Sequence, residues 1–192
     1  EIFKNCPYPY GIRSNVKYNY AGKNGEIDFL AWSDHSIYIF ECKNSLLPAD
    51  SHEIRATYEH IKKASQQLDL SYKALQSHEV QKTYFSQWGI PKGTRTIYTC
   101  ILLGNRLFTV PNGLRHPVRY AYELDMVLTS GIVNSEVGKW SCWANDQFAD
   151  EDLARFLSDS DPLSQSFIEA MEPYKEIFSC WGKHFQFDSY YY

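Results

Sequence analysis

No apolar run in this 192-residue chain approaches the roughly 20 residues that a helix needs to cross a bilayer. No basic-then-apolar leader opens it either, so no membrane partner is expected. The cysteines, Cys6, Cys42, Cys100, Cys142 and Cys180, are few, odd in number and scattered. No C-x-x-C pair is present, which argues against a zinc site. That usage fits a reduced, cytoplasmic protein. A phosphate-cradling glycine loop and a Ser-His-Asp set are both missing. There is no internal repeat and no low-complexity segment. Nor is there an excess of positive charge, since the formal net charge is −4.

What is present describes a soluble globular chain. Apolar residues make up 44%, aromatic residues 16% and charged residues 22%, a balance that supports a core rather than disorder. The length suits one domain with an appendage. The charge is unevenly placed. Residues 1–100 hold twelve Lys/Arg against ten Asp/Glu, while residues 101–192 hold seven against thirteen. A basic patch attracts phosphates and an acidic one repels them, so the first half is the better candidate for contacting nucleic acid, with ordinary charge scatter as the alternative.

The informative stretch is Gly25 to Asn44, GEIDFLAWSDHSIYIFECKN. Two runs rich in β-branched and aromatic residues, Ile27–Trp32 and Ile37–Phe40, flank a polar break, Ser33-Asp34-His35-Ser36. This reads as a β-hairpin whose turn is started by Asp and Ser. A two-residue loop at Asp34-His35 and a four-residue loop over Ser33–Ser36 give the same register. Asp28 then stands opposite Glu41, and Glu26 opposite Lys43. Strand alternation predicts that all four side chains share one face. Opposed residues have Cβ atoms roughly 4.5–5.5 Å apart, so two facing carboxylates repel. A divalent cation between them turns the repulsion into a binding site, and hard oxygen ligands suit Mg²⁺. Solvated charges at the end of a surface strand, with a Glu26–Lys43 pair, are the bland alternative.

An acid, a strand's length of spacing, then Glu-x-Lys at the end of an apolar strand resembles the PD-(D/E)xK nucleases, the restriction-endonuclease-like superfamily. Here the motif is Asp28, then Glu41-Cys42-Lys43, with Ile27 in place of the leading proline. The resemblance covers about twenty residues. It implies an α/β fold: a restriction-endonuclease-like core, with a mixed central sheet flanked by helices. It also implies metal-dependent phosphodiester hydrolysis. Asp28 and Glu41 would hold Mg²⁺, with Mn²⁺ as a substitute, and the backbone carbonyl of Cys42 would add a ligand. Lys43 would position or deprotonate the water, or stabilise developing charge. Glu26 is either a third acid at the site edge or the partner of Lys43. The exonuclease branch carries a helical Gln followed by Tyr. Gln67 in QLDLSYKAL is the matching candidate to orient the water or a ligand, with one extra residue before Tyr72. Gln is also a good helix former, so an exposed helical Gln is the plain alternative.

Around the motif, Asn15–Tyr20 alternates as a half-buried strand, and Gly22–Gly25 reads as a turn. Pro48 ends extended structure, and Asp50 with Glu53 forms a capping-box pattern. A long amphipathic helix is expected over 51–78. Arg55, Lys62 and Lys63 on it are candidate nucleic-acid contacts, and a solvated face is the alternative for each. Residues 79–93 read as a connector and Thr94–Leu103 as a buried strand. Arg106–Pro111 reads as a short strand and 119–130 as a helix. His116 and Arg119 are candidate phosphate contacts, with a structural role as the alternative. An acidic helix, DQFADEDLARFL, and a last helix over 163–180 complete the order. Cys42, alternating away from Glu41, is expected to face the core.

The domain reading is a nuclease-like core over 1–130 and an acidic, aromatic, mainly helical extension over 131–192. The chain opens on Glu1, not Met, so further domains of a longer protein are expected as partners. Glu1 itself is a candidate for the acid that the superfamily's first helix often brings. The aromatic tail FQFDSYYY would pack on the core, on a further domain or on a second copy in a homo-oligomer. Three functions are carried forward. The first is an active nuclease, with DNA the expected substrate ahead of RNA, in a restriction, phage-defence or repair system as the resemblance implies. The second is a catalytically inactive nuclease-fold module for nucleic-acid binding or assembly. The third is a glycoside hydrolase using Glu26 or Glu41, for which the lysine has no role.

Overall fold

The computed structural model describes residues 2–44, 51–104, 114–135, 138–158, 172–180 and 183–191. Three antiparallel strands come first: β1 (Gly11–Tyr20), β2 (Lys23–Trp32) and β3 (Ser36–Lys43). Two helices come next, α1 (Ser51–Gln76) and α2 (His78–Trp88). They carry the chain over to β4 (Thr96–Leu103), which pairs parallel with β3. A short β5 (Val118–Tyr120) adds to β4, also parallel, and runs into α3 (Ala121–Thr129). The result is a mixed five-stranded sheet in the order β1-β2-β3-β4-β5, flanked by helices, as a restriction-endonuclease-like core requires.

The central strand is apolar at nearly every position because both of its faces are covered. On one face Ile37 and Ile39 pack with Ile61, Ala64, Leu68 and Leu75 of α1. On the other, Tyr38 and Phe40 pack with Phe3, Leu124, Val127 and Leu128. A further helix of that layer, α4 (Asp150–Phe156), adds Leu153 and Phe156.

The β1–β2 turn is Ala21-Gly22, with φ of 50° and 75°. Positive φ at both central residues marks the turn that matches strand twist in a two-residue hairpin. It starts ahead of the Gly22–Gly25 turn read from the sequence, and Lys23–Gly25 belong to β2. The β2–β3 turn is held by Ser33. Its Oγ accepts the amides of His35 (3.1 Å) and Ser36 (2.9 Å), and its own amide donates to the Ser36 carbonyl (2.9 Å). The register is the one predicted: Trp32 pairs with Ile37 and Phe29 with Phe40.

Several expectations are corrected. Residues 79–93 are not simply a connector, because α2 occupies most of them and buries Val80, Phe85 and Trp88. The segment 172–180 is not helical. It forms β8 (Glu172–Cys180), paired antiparallel with β9 (Lys183–Tyr191). Its aromatic and β-branched content favours a pleated strand, as in the tail beside it. The described part of 131–192 is therefore mostly strand, with β6 (Ile132–Ser135) and β7 (Gly138–Ser141) adding a further hairpin. Glu1, Asp50 and Arg106–Pro111 lie outside the described residues.

Candidate active site

The β2–β3 ladder ends one step short of the two acids. Phe29 with Phe40 is its last rung. Beyond it, Asp28 Oδ2 accepts the backbone amide of Cys42 at 2.8 Å. A side chain thus stands in for the next strand partner. The β1–β2 ladder is interrupted at the same residue. Val16 pairs with Ile27 and Ser14 with Phe29, but the ladder skips Asn15 and Asp28. Asn15 has φ of 52°, a left-handed conformation that Asn tolerates better than most residues. Ile27 and Leu30, three residues apart, consequently point into the same cluster. Simple alternation fails between them, yet one residue is skipped on each strand, so the register is the same on both sides of the break.

That break decides which predicted residues meet. Asp28 and Glu41 do: the charge of Asp28 acts on Glu41. Lys43 joins them, its Nζ donating to Glu41 Oε1 at 2.6 Å. The β2–β3 ladder ends before Glu26, so it does not pair Glu26 with Lys43 as the hairpin register predicted; on β1 Glu26 pairs with Lys17, and its charge still reaches Glu41. Glu41 is 2% exposed. Burial pushes its carboxyl above the ordinary range; the Lys43 hydrogen bond opposes that, and the charges of Asp28 and Glu26 add to it.

Cys42 is exposed, not in the core. Among the described residues, the layer of Phe3, Leu124 and Val127 covers Tyr38 and Phe40 on its face and does not take in Cys42. Gln67 sits on α1 with its Oε1 buried and without a hydrogen-bond partner. Such an atom carries an unmet desolvation cost unless a ligand or water reaches it. Arg55, Lys62 and Lys63 are exposed on α1, off the face that Ile61, Ala64 and Leu68 bury. The fold does not draw them into the acid group. His116 is buried, with Nδ1 at 2.7 Å from Thr99 Oγ1 and Nε2 at 3.4 Å from Asp69 Oδ1. Burial holds its pKa below the usual value against the pull of Asp69. Arg119 donates to the carbonyls of Phe156 and Ser158. Both residues have structural partners.

One residue beside the acids escaped the sequence reading as a site member. Tyr18, buried on β1, shares a 3.0 Å hydrogen bond with Ser71 Oγ of α1. Its phenol is pushed up, chiefly by burial and further by the charge of Glu41. The alternation of Val16, Tyr18 and Tyr20 signalled burial, but nothing in it signalled nearness to Glu41.

The donor set is compact. Glu41 Oε1 and Asp28 Oδ2 are engaged by Lys43 and Cys42, which leaves one oxygen of each acid with no bond among the described contacts. Among the described residues, no three His, Cys, Asp or Glu side chains converge as a metal cage. Two carboxylates completed by water and substrate oxygens are what Mg²⁺ commonly takes, so these residues fit that ion better than zinc.

A family model, the nuclease-related domain (NERD), matches residues 2–91. The match spans the three antiparallel strands, α1 and α2, and contains Asp28, Glu41, Lys43 and Gln67. No curated protein and no solved structure matches the chain. Residues 2–91 therefore form a nuclease-related domain of the restriction-endonuclease-like, PD-(D/E)xK superfamily.

Proposed function

We propose that this chain is a metal-dependent phosphodiester hydrolase acting on nucleic acid, DNA ahead of RNA. The carrying observation is the grouping of Asp28, Glu41 and Lys43 at the end of a broken ladder within a nuclease-related domain. Asp28 and Glu41 would hold Mg²⁺ or Mn²⁺, with the Cys42 carbonyl beside them. Bound there, the ion would lower the pKa of a water and offset charge on the scissile phosphate. The Lys43 ammonium, already held at Glu41, would sit against the attacking water or the phosphate. The orphaned Oε1 of Gln67 would accept a hydrogen bond from that water. Exposed Arg55, Lys62 and Lys63 would act on nucleic acid as a diffuse positive field on α1.

The close Lys43–Glu41 pair favours a second reading, in which the fold is kept as an inactive binding module. Plasmid and oligonucleotide substrates incubated with Mg²⁺, Mn²⁺ or chelator separate the two. The proposal expects cleavage with either metal and none with chelator. Metal-independent binding without any cleavage would establish the module instead. Restriction, phage defence or repair is the setting in which such an activity would serve.

A further inference from the structure

An open groove of about 650 Å³ lies on the β1–β2 hairpin beside α2, lined by Lys17, Asn19, Asn24, Glu26 and Tyr84, with Tyr18 and Gly25. Glu26, which lines the groove, is two residues before Asp28 on β2, so the groove continues along the strand from the acid site. Its floor depends on Gly25, the cross-strand partner of Tyr18. A Cβ at Gly25 would stand 2.2 Å from the Tyr18 ring, so only glycine lets that ring lie over the strand.

The groove is preorganised for a flat, polar-edged group. Tyr84 is stacked on Trp88, with centroids 5.3 Å apart and planes 19° apart. Its hydroxyl accepts the backbone N–H of Asn19 at 3.1 Å. The ring is thus held in place before any ligand arrives. Asn19 Nδ2 donates to Asn24 Oδ1 at 2.9 Å, a bond that uses neither Asn19 Oδ1 nor Asn24 Nδ2 and so leaves one acceptor and one donor group for a ligand. Paired amide donors and acceptors match the edge of a nucleobase, and a fixed ring matches its face. Lys17 supplies a cation for a phosphate.

We infer that this groove holds an unpaired nucleotide of the substrate strand. The base would lie against Tyr84 with its edge on the Asn19–Asn24 pair, and the phosphate on Lys17, whose cross-strand partner Glu26 is two residues from Asp28. Bases inside a duplex do not expose these edges and faces together, so the substrate class is a single strand or a frayed end. The inference deepens the nuclease reading and rests on it for the cleavage step, but binding itself is measured without cleavage.

The test uses the full chain in chelator with a labelled mixed-sequence DNA oligonucleotide, single-stranded or annealed. The single strand is expected to bind at least ~10-fold more tightly than the duplex. Lys17→Ala and Asn24→Ala, both at exposed positions, are each expected to weaken it several-fold without moving Tm. Lys17→Ala should also flatten the log–log salt dependence by about 0.7, the loss of one single-strand phosphate contact. Hydrogen exchange should slow at residues 17–19 and 24–26 when the oligonucleotide is added. Equal affinity for the duplex, unchanged binding by both variants, or protection confined to other segments would overturn the inference. Cleavage by wild type with those results would leave the nuclease reading standing. Groove protection without cleavage in any metal would sink the nuclease reading and keep the groove.

Discussion

Asp28 accepts the Cys42 amide at 2.8 Å just past the last rung of the β2–β3 ladder, so one carboxylate both closes the hairpin and faces the site. The two duties separate by substitution. Asp28→Asn keeps an acceptor oxygen for the amide and removes the charge. Its Tm should stay close to wild type while metal affinity, read by titration calorimetry, falls sharply. Asp28→Ala should lose the same affinity and about 1 kcal/mol of stability as well. If Asn and Ala destabilise equally, the amide contact contributes nothing.

Glu41 links stability to pH. Its folded pKa is raised, chiefly by burial, so the folded state holds the proton more tightly than the unfolded state. Stability from this group is present at low pH and declines as pH rises through the window between the two values. At neutral pH the buried charge is therefore a net cost. Glu41→Gln should raise Tm at pH 7, each kcal/mol being worth roughly 2–4 °C for a chain of this size, and the gain should vanish below the ordinary carboxylate range. Thermal unfolding monitored from about pH 4 to about pH 8 checks this. A Tm lowered at pH 7 would show that the Lys43 pairing outweighs burial.

Asp150 ties the extension to the core. Only 4% exposed, it accepts hydroxyl hydrogen bonds from Tyr10 and Tyr38 on Oδ1 (2.8 Å each) and from Ser33 and Ser36 on Oδ2 (2.7 Å each). Burial first, and the Asp150 charge among the lesser causes, raise both phenols, which remain donors. Asp150→Ala would orphan four hydroxyls and should cost roughly 3–5 kcal/mol in denaturant unfolding. Asp150→Asn should cost less, because the serine hydroxyls can rotate to accept from the amide. A loss under about 1 kcal/mol for Ala would mean that water replaces the carboxylate.

Ala21 holds a left-handed φ of 50° in the two-residue β1–β2 turn. Asn favours that position for the turn's twist, so Ala21→Asn should stabilise by about 0.5–1 kcal/mol. A shift of the urea midpoint to higher concentration at constant slope would show it.

The hairpin from Gly25 to Asn44, its register and the crossover to β4 are legible in the sequence because apolar runs, turn residues and strand period all agree. What stays hidden is non-local. The hairpin register places Glu26 opposite Lys43, but the β2–β3 ladder stops at Phe29, and no residue of β2 alone announces that end. Cys42 alternates correctly yet is exposed, outside the cluster that covers Tyr38 and Phe40 among the described residues. Asp150 looks like one more acid at a helix start. Its serine partners lie more than a hundred residues away in sequence, where no local pattern could point. The 172–191 hairpin reads as part helix because short aromatic segments fit either period.

The most direct test is single-turnover cleavage at saturating Mg²⁺ by wild type, Asp28→Asn and Lys43→Met, with folding of each checked by Tm. Wild type should cut, chelator should stop it, and each substitution should slow it by at least ~10²-fold at near-native Tm. Wild-type rates retained by either folded variant would contradict the assignment of these residues as the reactive centre.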